Sequence, residues 1–293
     1  MTDKILSRAD AMTVIKRARE VNQVPDLKEA NLTRVDLSGA DLRLANLRGA
    51  ILLDANLNKT DLTSANLEYA NLQSANLNQA ILRQANLRGA NLHQSNLRNV
   101  DINEMTEFDI KWRIVWEIIN RDVTGHNFRE ADLQDVDLRG VTLINVILNQ
   151  ANLNDSNLYK ADLSDSSLNY ATLRRVNLSE ARLCRATFRR ADLSQAGLGQ
   201  ADLSSSGLQN ANLSGAYLGM AVLSNANLNQ ANLSRANLSG ADLGRCGMEG
   251  TNLVGANLRW AYLHGVNLRG ARYDHTTQWP TEFSPSLAGA EAV

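Results

Sequence analysis

The chain has few of the residues that usually build a globular core, a disulfide framework or a metal centre. Aromatic residues make up only 5% of its 293 positions, and there are 3 prolines, 2 cysteines and 4 histidines. The histidines are scattered and share no ligand spacing, and there is no CxxC pair, so neither a metal ion nor a cofactor is expected. With so few aromatic side chains, the core must be built from Leu and Ala.

The sequence also lacks long apolar runs and a strong excess of charge. No apolar stretch reaches the roughly 18 residues that a membrane helix needs, and the N-terminus has no signal-peptide core. We therefore expect a cytoplasmic protein that does not enter a membrane. The formal net charge is -1, which argues against attraction of the whole protein to nucleic acid.

What the chain does have is one pattern with a period of five residues, clearest from Ala221 to Ala256. Each unit reads as a small residue, a small polar residue, Leu, and then two polar residues or Gly. In a helix, leucines five apart would drift by roughly 140° around the axis, and in a strand they would alternate between faces. The leucines can share one interior only if the chain turns once in every unit and the turns stack into coils.

This tandem Ala-(Asp/Asn)-Leu-x-x pattern resembles the pentapeptide repeat family, and the resemblance covers most of the chain. It implies an all-β solenoid, a right-handed quadrilateral β-helix with four repeats in each coil. It also implies a non-catalytic scaffold whose partner is another protein.

Some members of that family imitate duplex DNA and modulate DNA gyrase, which is the alternative function. A DNA mimic needs a strongly negative surface, and a net charge of -1 departs from that requirement. An enzyme is less favoured still, because the repeat itself accounts for the Asp before each Leu, and Asn replaces it freely. The sequence contains no catalytic constellation.

The five-residue register divides the chain into five segments. A helical cap is predicted for residues 1–24, a first run of repeats for 25–102, an inserted helix or linker for 103–127, a second run for 128–273 and a C-terminal cap for 274–293. The unit centre at Phe128 follows Ile102 by 26 residues, one more than a multiple of five, so the register shifts between the runs. Pro280 and Pro285 are expected to block further strand pairing at the end.

Two segments have helical patterns. Ser7 and Asp10 suggest a capping box that opens a helix ending near Glu20, and we expect this helix to cover the first coil. The alternative is a partner-binding helix. In the inserted segment, Trp112, Val115, Trp116 and Ile119 are spaced for one helix face, and Ile114 and Ile118 widen that stripe. That face is predicted to pack on a solenoid end as a joint, and the alternatives are a docking surface or a hinge.

Two outward clusters are candidate partner surfaces. The first is an arginine belt within one coil's length, with only Glu180 to oppose it; its members are Arg174, Arg175, Arg182, Arg185, Arg189 and Arg190. The belt is either a solvated surface neutralised by Asp155, Asp162 and Asp165 or a docking site for an acidic partner. The second cluster is apolar and contains Tyr217, Met220, Trp260 and Tyr262.

The repeat register also places the two cysteines. Cys246 falls on an inward small position and Cys184 on an outward one, so no disulfide is expected between them. Solenoids of this type often pair end to end, which leaves a homodimer open, although both ends are expected to be covered.

Overall fold

The computed structural model describes residues 5–293, so the first four residues of the predicted cap 1–24 lie outside the described residues. The chain forms two compact units, Met1–Arg121 and Asp122–Val293. The first unit contains the helices α1 (Arg8–Glu20) and α2 (Ile110–Asn120). The second contains the short strands β1 (Arg272–Tyr273) and β2 (Glu291–Ala292).

Backbone pairing in both units joins residues twenty positions apart in the sequence. In the first unit Asp26 pairs with Asn46 and Asn46 with Asn66, and in the second Asn127 pairs with Ile147, all in parallel. Each coil therefore contains four five-residue repeats. This return of the backbone onto itself makes each unit a β-helix solenoid.

Each contact between coils consists of very short extended segments. The Leu27 N–H donates to the Asn46 carbonyl at 2.8 Å, and the Asn46 N–H donates to the Pro25 carbonyl at 2.8 Å. The chain then turns, so the pairing cannot extend into a longer ladder. For this reason nearly all of the pairs are isolated bridges.

The turns require an unusual backbone conformation at the last residue of a repeat. In one of them the Ala40 N–H donates to the Leu37 carbonyl at 3.0 Å, and the residue before Ala40, Gly39, has a φ of 64°. The same left-handed conformation occurs at Trp260, where φ is 60°, although it costs a residue with a Cβ about 1 kcal/mol or more. Stacking of the coils thus imposes the turn even where the side chain disfavours it.

The Asn or Asp before each Leu stabilises both the turn and the stacking. The Asn46 side-chain oxygen accepts a hydrogen bond from the Arg48 N–H at 3.3 Å, and its amide donates to the Asp26 carboxylate at 2.9 Å. The first bond is an Asx turn, which satisfies a backbone donor at the corner. The acidic residues of the repeat therefore have a structural role.

The interior is filled by the repeat leucines and the small residues two positions before them. Leu47, Leu223 and Ala45 are fully buried, as are Phe188 and Met248, which replace Leu at their centres. Because each coil holds only four such pairs, the core is narrow and depends on burial by the coils on either side.

The register shift lies just before α2. Asn86 pairs with Glu107 instead of with the residue twenty positions on, so one extra residue falls between Asp101 and Glu107. Thr106 fills the small inward position, and its hydroxyl donates to the Leu82 carbonyl at 2.9 Å. Asn103 closes this turn by accepting a hydrogen bond from the Gln84 N–H at 3.0 Å.

The same turn recurs near the end of the second unit. Asn257 pairs with Gln278, again one residue beyond the regular spacing. Thr277 donates to the Leu253 carbonyl at 3.0 Å, and Asp274 accepts from the Gly255 N–H at 3.1 Å. Each unit thus closes its last complete coil with an Asx residue followed three positions later by Thr.

The N-terminal helix α1 begins with the predicted capping box. The Asp10 N–H donates to the Ser7 hydroxyl at 3.2 Å, and the Ser7 N–H donates to the Asp10 carboxylate at 3.0 Å. Arginines near the two ends of α1 attach it to the first coils: Arg8 donates to the Asp36 carbonyl at 2.7 Å, and Arg19 pairs with the Asp41 carboxylate at 2.7 Å.

The C-terminal segment differs from the expectation for Pro280 and Pro285. Strand pairing resumes beyond both prolines, because β2 pairs in parallel with β1. The prolines lie in the connecting loop, where their missing N–H groups are not needed for pairing. Trp279 packs between Tyr273 and Phe283, with ring centroids 5.6 Å and 5.4 Å apart.

Leu47→Ala should lower the free energy of unfolding of the first unit by about 2–5 kcal/mol, because it opens a cavity in a core that cannot collapse. The matched control is Leu44→Ala, since Leu44 lies on an outward corner with 62% of its surface exposed. That change should stay within about 0.5 kcal/mol of the wild type in urea denaturation. Equal losses in the two variants would contradict the assignment of the inward face.

Asp41→Asn should destabilise the first unit at pH 7 but not at low pH. Hydrogen bonds from Arg43 and then Arg19 hold the pKa of the Asp41 carboxyl well below its usual range. A lowered folded-state pKa contributes stability above the unfolded value of about 3.9, and this contribution is lost as the pH falls. Denaturation of both proteins from pH 7 to pH 2 should show the difference shrinking below about pH 4.

The control for this prediction is Asp54→Asn, which removes an exposed pair with Arg34 at 3.4 Å. Because exposed ion pairs contribute little, its effect at pH 7 should be smaller. If the Asp41 variant matched the wild type at pH 7, the attachment of α1 by Arg19 would not contribute to stability.

Candidate partner-binding surfaces

Outward side chains twenty residues apart lie beside each other on neighbouring coils, so each face and corner carries a column of side chains. The arginine belt shows the effect of this stacking. Arg175 donates to the Asp155 carboxylate at 2.7 Å and 2.8 Å, and Arg185 donates to that of Asp165 at 2.6 Å through two nitrogens. The bidentate bond from Arg185 lowers the pKa of Asp165.

Two more belt arginines have acidic neighbours at longer range. Arg182 lies 3.6 Å from the Asp162 carboxylate, and Arg174 lies 3.9 Å from that of Asp192. Arg190 stacks over the ring of Tyr170, with 5.8 Å between the guanidinium and the ring centroid. Most of the belt is therefore already paired within its own unit, as the solvated-surface interpretation requires.

Trp112 and Trp116 lie against the last coils of the first unit. Trp112 is only 4% exposed, and its ring meets that of His93 edge-on at a centroid distance of 5.3 Å. The Trp116 indole N–H donates to the Val100 carbonyl at 2.9 Å, and Asn120 donates to the Leu97 carbonyl at 3.0 Å. This packing does not support Trp112 and Trp116 as a docking surface for a partner.

The buried part of α2 is narrower than the predicted stripe. Trp112, Val115 and Ile118 are the buried residues, whereas Trp116 and Ile119 are only partly covered. The Trp116 ring is only partly covered, and its position is constrained by the hydrogen bond from the indole N–H to the Val100 carbonyl. The helical period alone cannot reveal such a constraint.

The apolar cluster of the second unit is exposed. Met220 and Trp260 lie on the same corner, two coils apart, and are 66% and 79% exposed. Gly240 occupies the corner between them, where a Cβ would lie 3.6 Å from Met220 Cγ. We call this surface the aromatic corner; it consists of Tyr217, Met220, Val222, Trp260 and Tyr262.

The tyrosines of the aromatic corner lie flat on neighbouring glycines. A Cβ at Gly199 would come within 2.7 Å of the Tyr217 ring, and one at Gly219 within 2.6 Å of its hydroxyl oxygen. A Cβ at Gly244 would meet the Tyr262 ring at 3.2 Å. Glycine at these positions lets the rings lie close against the backbone.

A polar groove lies on the corner that comes before the aromatic corner in the order of the chain. This groove was not among the surfaces predicted from the sequence. It has a volume of about 460 Å³ and is lined by Arg235 and Arg272 together with Ser214, Ser234, Asn232 and Asn252. Within the described residues, neither arginine forms an ion pair. The missing ion pair of Arg235 could have been predicted from the sequence. The residues twenty positions before and after Arg235 are Gly215 and Gly255, whereas the residue twenty positions before Arg175 is Asp155.

The five-residue units match the family model described as "Pentapeptide repeats" in 8 copies. The matched residues are 26–63, 65–103, 127–165, 166–206, 206–245 and 245–272, which is more than half of the chain. The chain belongs to the pentapeptide repeat family. Its interruption at residues 104–126 coincides with the segment that contains α2.

Several solved pentapeptide repeat proteins are similar to this chain. HetL, involved in heterocyst differentiation regulation in the cyanobacterium Nostoc sp. strain PCC 7120, is 28% identical over 91% of this chain and 96% of its own, with a TM-score of 0.42. The protein alr5209 from Nostoc PCC 7120 is 39% identical over 35% of this chain and 84% of its own, with a TM-score of 0.35.

QnrB1, a plasmid-mediated fluoroquinolone resistance protein, is 15% identical over 86% of this chain and 89% of its own, with a TM-score of 0.38. All three TM-scores are low, so the family assignment rests on the matched repeats. A comparison with curated protein sequences gives no significant match.

Many of the acidic side chains accept hydrogen bonds within turns or form ion pairs, as Asp41 and Asp155 do. Among residues 5–293, no group of three or more His, Cys, Asp and Glu side chains is placed to hold a metal ion. No helix in that range has the length and apolar character needed to cross a membrane.

The two cysteines are free and differ in environment. Cys246 is buried, and its S–H donates to the Leu223 carbonyl at 2.9 Å. Burial raises the pKa of the Cys246 thiol to about 12. Cys184 is partly exposed, and its S–H donates to the Ser164 hydroxyl at 3.2 Å.

In a thiol titration at pH 8, native protein should react through Cys184 and leave Cys246 untouched, because only a thiolate attacks the reagent. Both cysteines should react in denaturant. The variant Cys184→Ser isolates the second reaction, and it should show no labelling until the protein unfolds. Rapid labelling of that variant in native buffer would contradict the packing of Cys246.

Proposed function

We propose that this protein is a non-catalytic scaffold and that a partner protein docks on the aromatic corner of the second unit. The single observation that carries the proposal is the exposure of Met220 and Trp260 on one corner, with tyrosines laid flat beside them. Exposed aromatic and Met side chains that cluster are typical of protein interfaces. Solenoids commonly bind partners through such continuous surfaces.

The proposal includes the finer architecture expected from the family resemblance. Both runs wind as right-handed, four-sided β-helices, α1 covers the start of the first run, and α2 is an inserted helix that covers its end. The contacts of Arg8 and Arg19 support the role of α1. Those of Trp116 and Asn120 support the role of α2. A cytoplasmic location stays a prediction.

Modulation of gyrase by DNA mimicry is the less favoured function. A mimic would present rows of unpaired carboxylates at the positions of phosphates. In the second unit, the carboxylates of Asp155 and Asp165 instead accept bidentate hydrogen bonds from arginines. A gyrase supercoiling assay with added protein should therefore show no change in activity.

The variant Met220→Ala/Trp260→Ala should lose its partner when wild-type and variant proteins are used to capture binding proteins from the native cell. Truncating a central interface aromatic typically costs about 2 kcal/mol or more, which is more than tenfold in affinity. Stability should be unchanged, because both side chains point outward.

The matched control is Tyr69→Ala, which removes an aromatic side chain of the first unit that is also well exposed. It should capture the same partner as the wild type. If the double variant retained the partner while Tyr69→Ala lost it, the docking surface would lie on the first unit and the proposal would be wrong.

A further inference from the structure

The arginines of the second unit divide into two classes along the chain. Four of the six belt arginines have carboxylates on the neighbouring coil: Arg174, Arg175, Arg182 and Arg185. Farther along, Arg235 and Arg272 have no ion-pair partner among residues 5–293, and neither do Arg245, Arg259 and Arg269. These downstream arginines therefore supply positive charge that remains available to a ligand, whereas most of the belt is already neutralised.

Two of these arginines converge on the polar groove. Arg235 lies on the coil of Asn232, and Arg272 lies two coils farther along the same face, since Asn232 pairs with Asn252 and Asn252 with Arg272. With about 4.8 Å between coils, the two side chains start roughly 10 Å apart along the solenoid. An extended peptide covers that distance in about three residues.

The shape of the groove follows from glycine at the corner. Gly215 and Gly255 flank Arg235 in its column, and a Cβ at Gly255 would lie 3.4 Å from the Arg235 Cγ. Because both positions are glycine, neither carries a side chain that could cover Arg235, which is exposed. The hydroxyls of Ser214 and Ser234 and the amides of Asn232 and Asn252 line the groove and add hydrogen-bonding groups.

We propose that this groove binds the carboxylates of an acidic, extended segment of the partner protein, an inference that rests on the proposed function. Arg235 and Arg272 each pair with one carboxylate, and acidic residues about three positions apart match the separation of the two arginines. The nine lining residues include no acidic side chain to compete for the guanidinium groups.

The position of the groove relative to the aromatic corner fits a single partner. In the order of the chain, the corner that carries Arg235 is followed by the face of Asn237 and then by the corner of Gly240, which Met220 and Trp260 share. A partner on the aromatic corner therefore needs to cross only one face to reach the groove. Nucleic acid fits less well, because no aromatic side chain lines the groove to stack on a base.

The test uses a fluorescein-labelled decaglutamate peptide and the full-length protein, with binding followed by fluorescence anisotropy at low salt, where charge interactions are least screened. The variant Arg235→Gln/Arg272→Gln should bind the peptide about tenfold or more weakly than the wild type. The matched control is Arg175→Gln/Arg185→Gln, which changes the net charge by the same amount. It should bind within about twofold of the wild type, because those arginines are already paired.

Three outcomes would overturn the inference: no binding by the wild type, equal weakening of the two double variants, or tighter binding of a single-stranded DNA oligonucleotide that also depends on Arg235 and Arg272. Circular dichroism of each variant confirms that the solenoid is intact. Partner capture with Met220→Ala/Trp260→Ala separates the two proposals. If Met220→Ala/Trp260→Ala lost the partner but Arg235→Gln/Arg272→Gln bound decaglutamate as well as the wild type did, the groove inference would be wrong. The proposed docking on the aromatic corner would still stand.

Discussion

The structure depends on the pair of backbone hydrogen bonds that joins each five-residue unit to the unit twenty residues farther along the chain. These bonds can form on every coil only if the chain turns at every unit. The turn is kept even where Trp260 must adopt a left-handed conformation to make it. Leu at the centre and the small residue two positions earlier then share a narrow interior, and each coil is stable only because its neighbours cover it.

The twenty-residue coil also determines which charged side chains of the surface lie next to each other. A carboxylate twenty residues before an arginine neutralises it, as Asp155 does for Arg175. A glycine at that distance leaves the arginine exposed to a ligand, as at Arg235. The density of arginines along the sequence is therefore a poor guide to where a charged ligand binds. The belt holds the most arginines, but most of them are paired. Among residues 5–293, the less conspicuous arginines downstream, such as Arg235 and Arg272, have no ion-pair partner.

The capping box of α1, the inward leucines and the one-residue shift of register could all be predicted, because each depends on neighbours within a few positions or on the repeat itself. Other features could not. The period of α2 predicted a broad face, but only Trp112, Val115 and Ile118 of that face are buried. Trp116 is partly covered, and the period could not show that its indole N–H donates to the Val100 carbonyl. The prolines near the end suggested that pairing stops, whereas β2 returns to β1 beyond the loop that contains them.

By itself, the sequence determined that the chain coils, which side chains face inward and which residues form the corners, since a five-residue period allows no other shared interior. Only the tertiary structure decided which outward residues meet. It buried Trp112 beneath a coil of the first unit and left Trp260 in solvent. The physical reason is that burial and ion pairing depend on the residue stacked above or below, and that neighbour is set by the length of the coil.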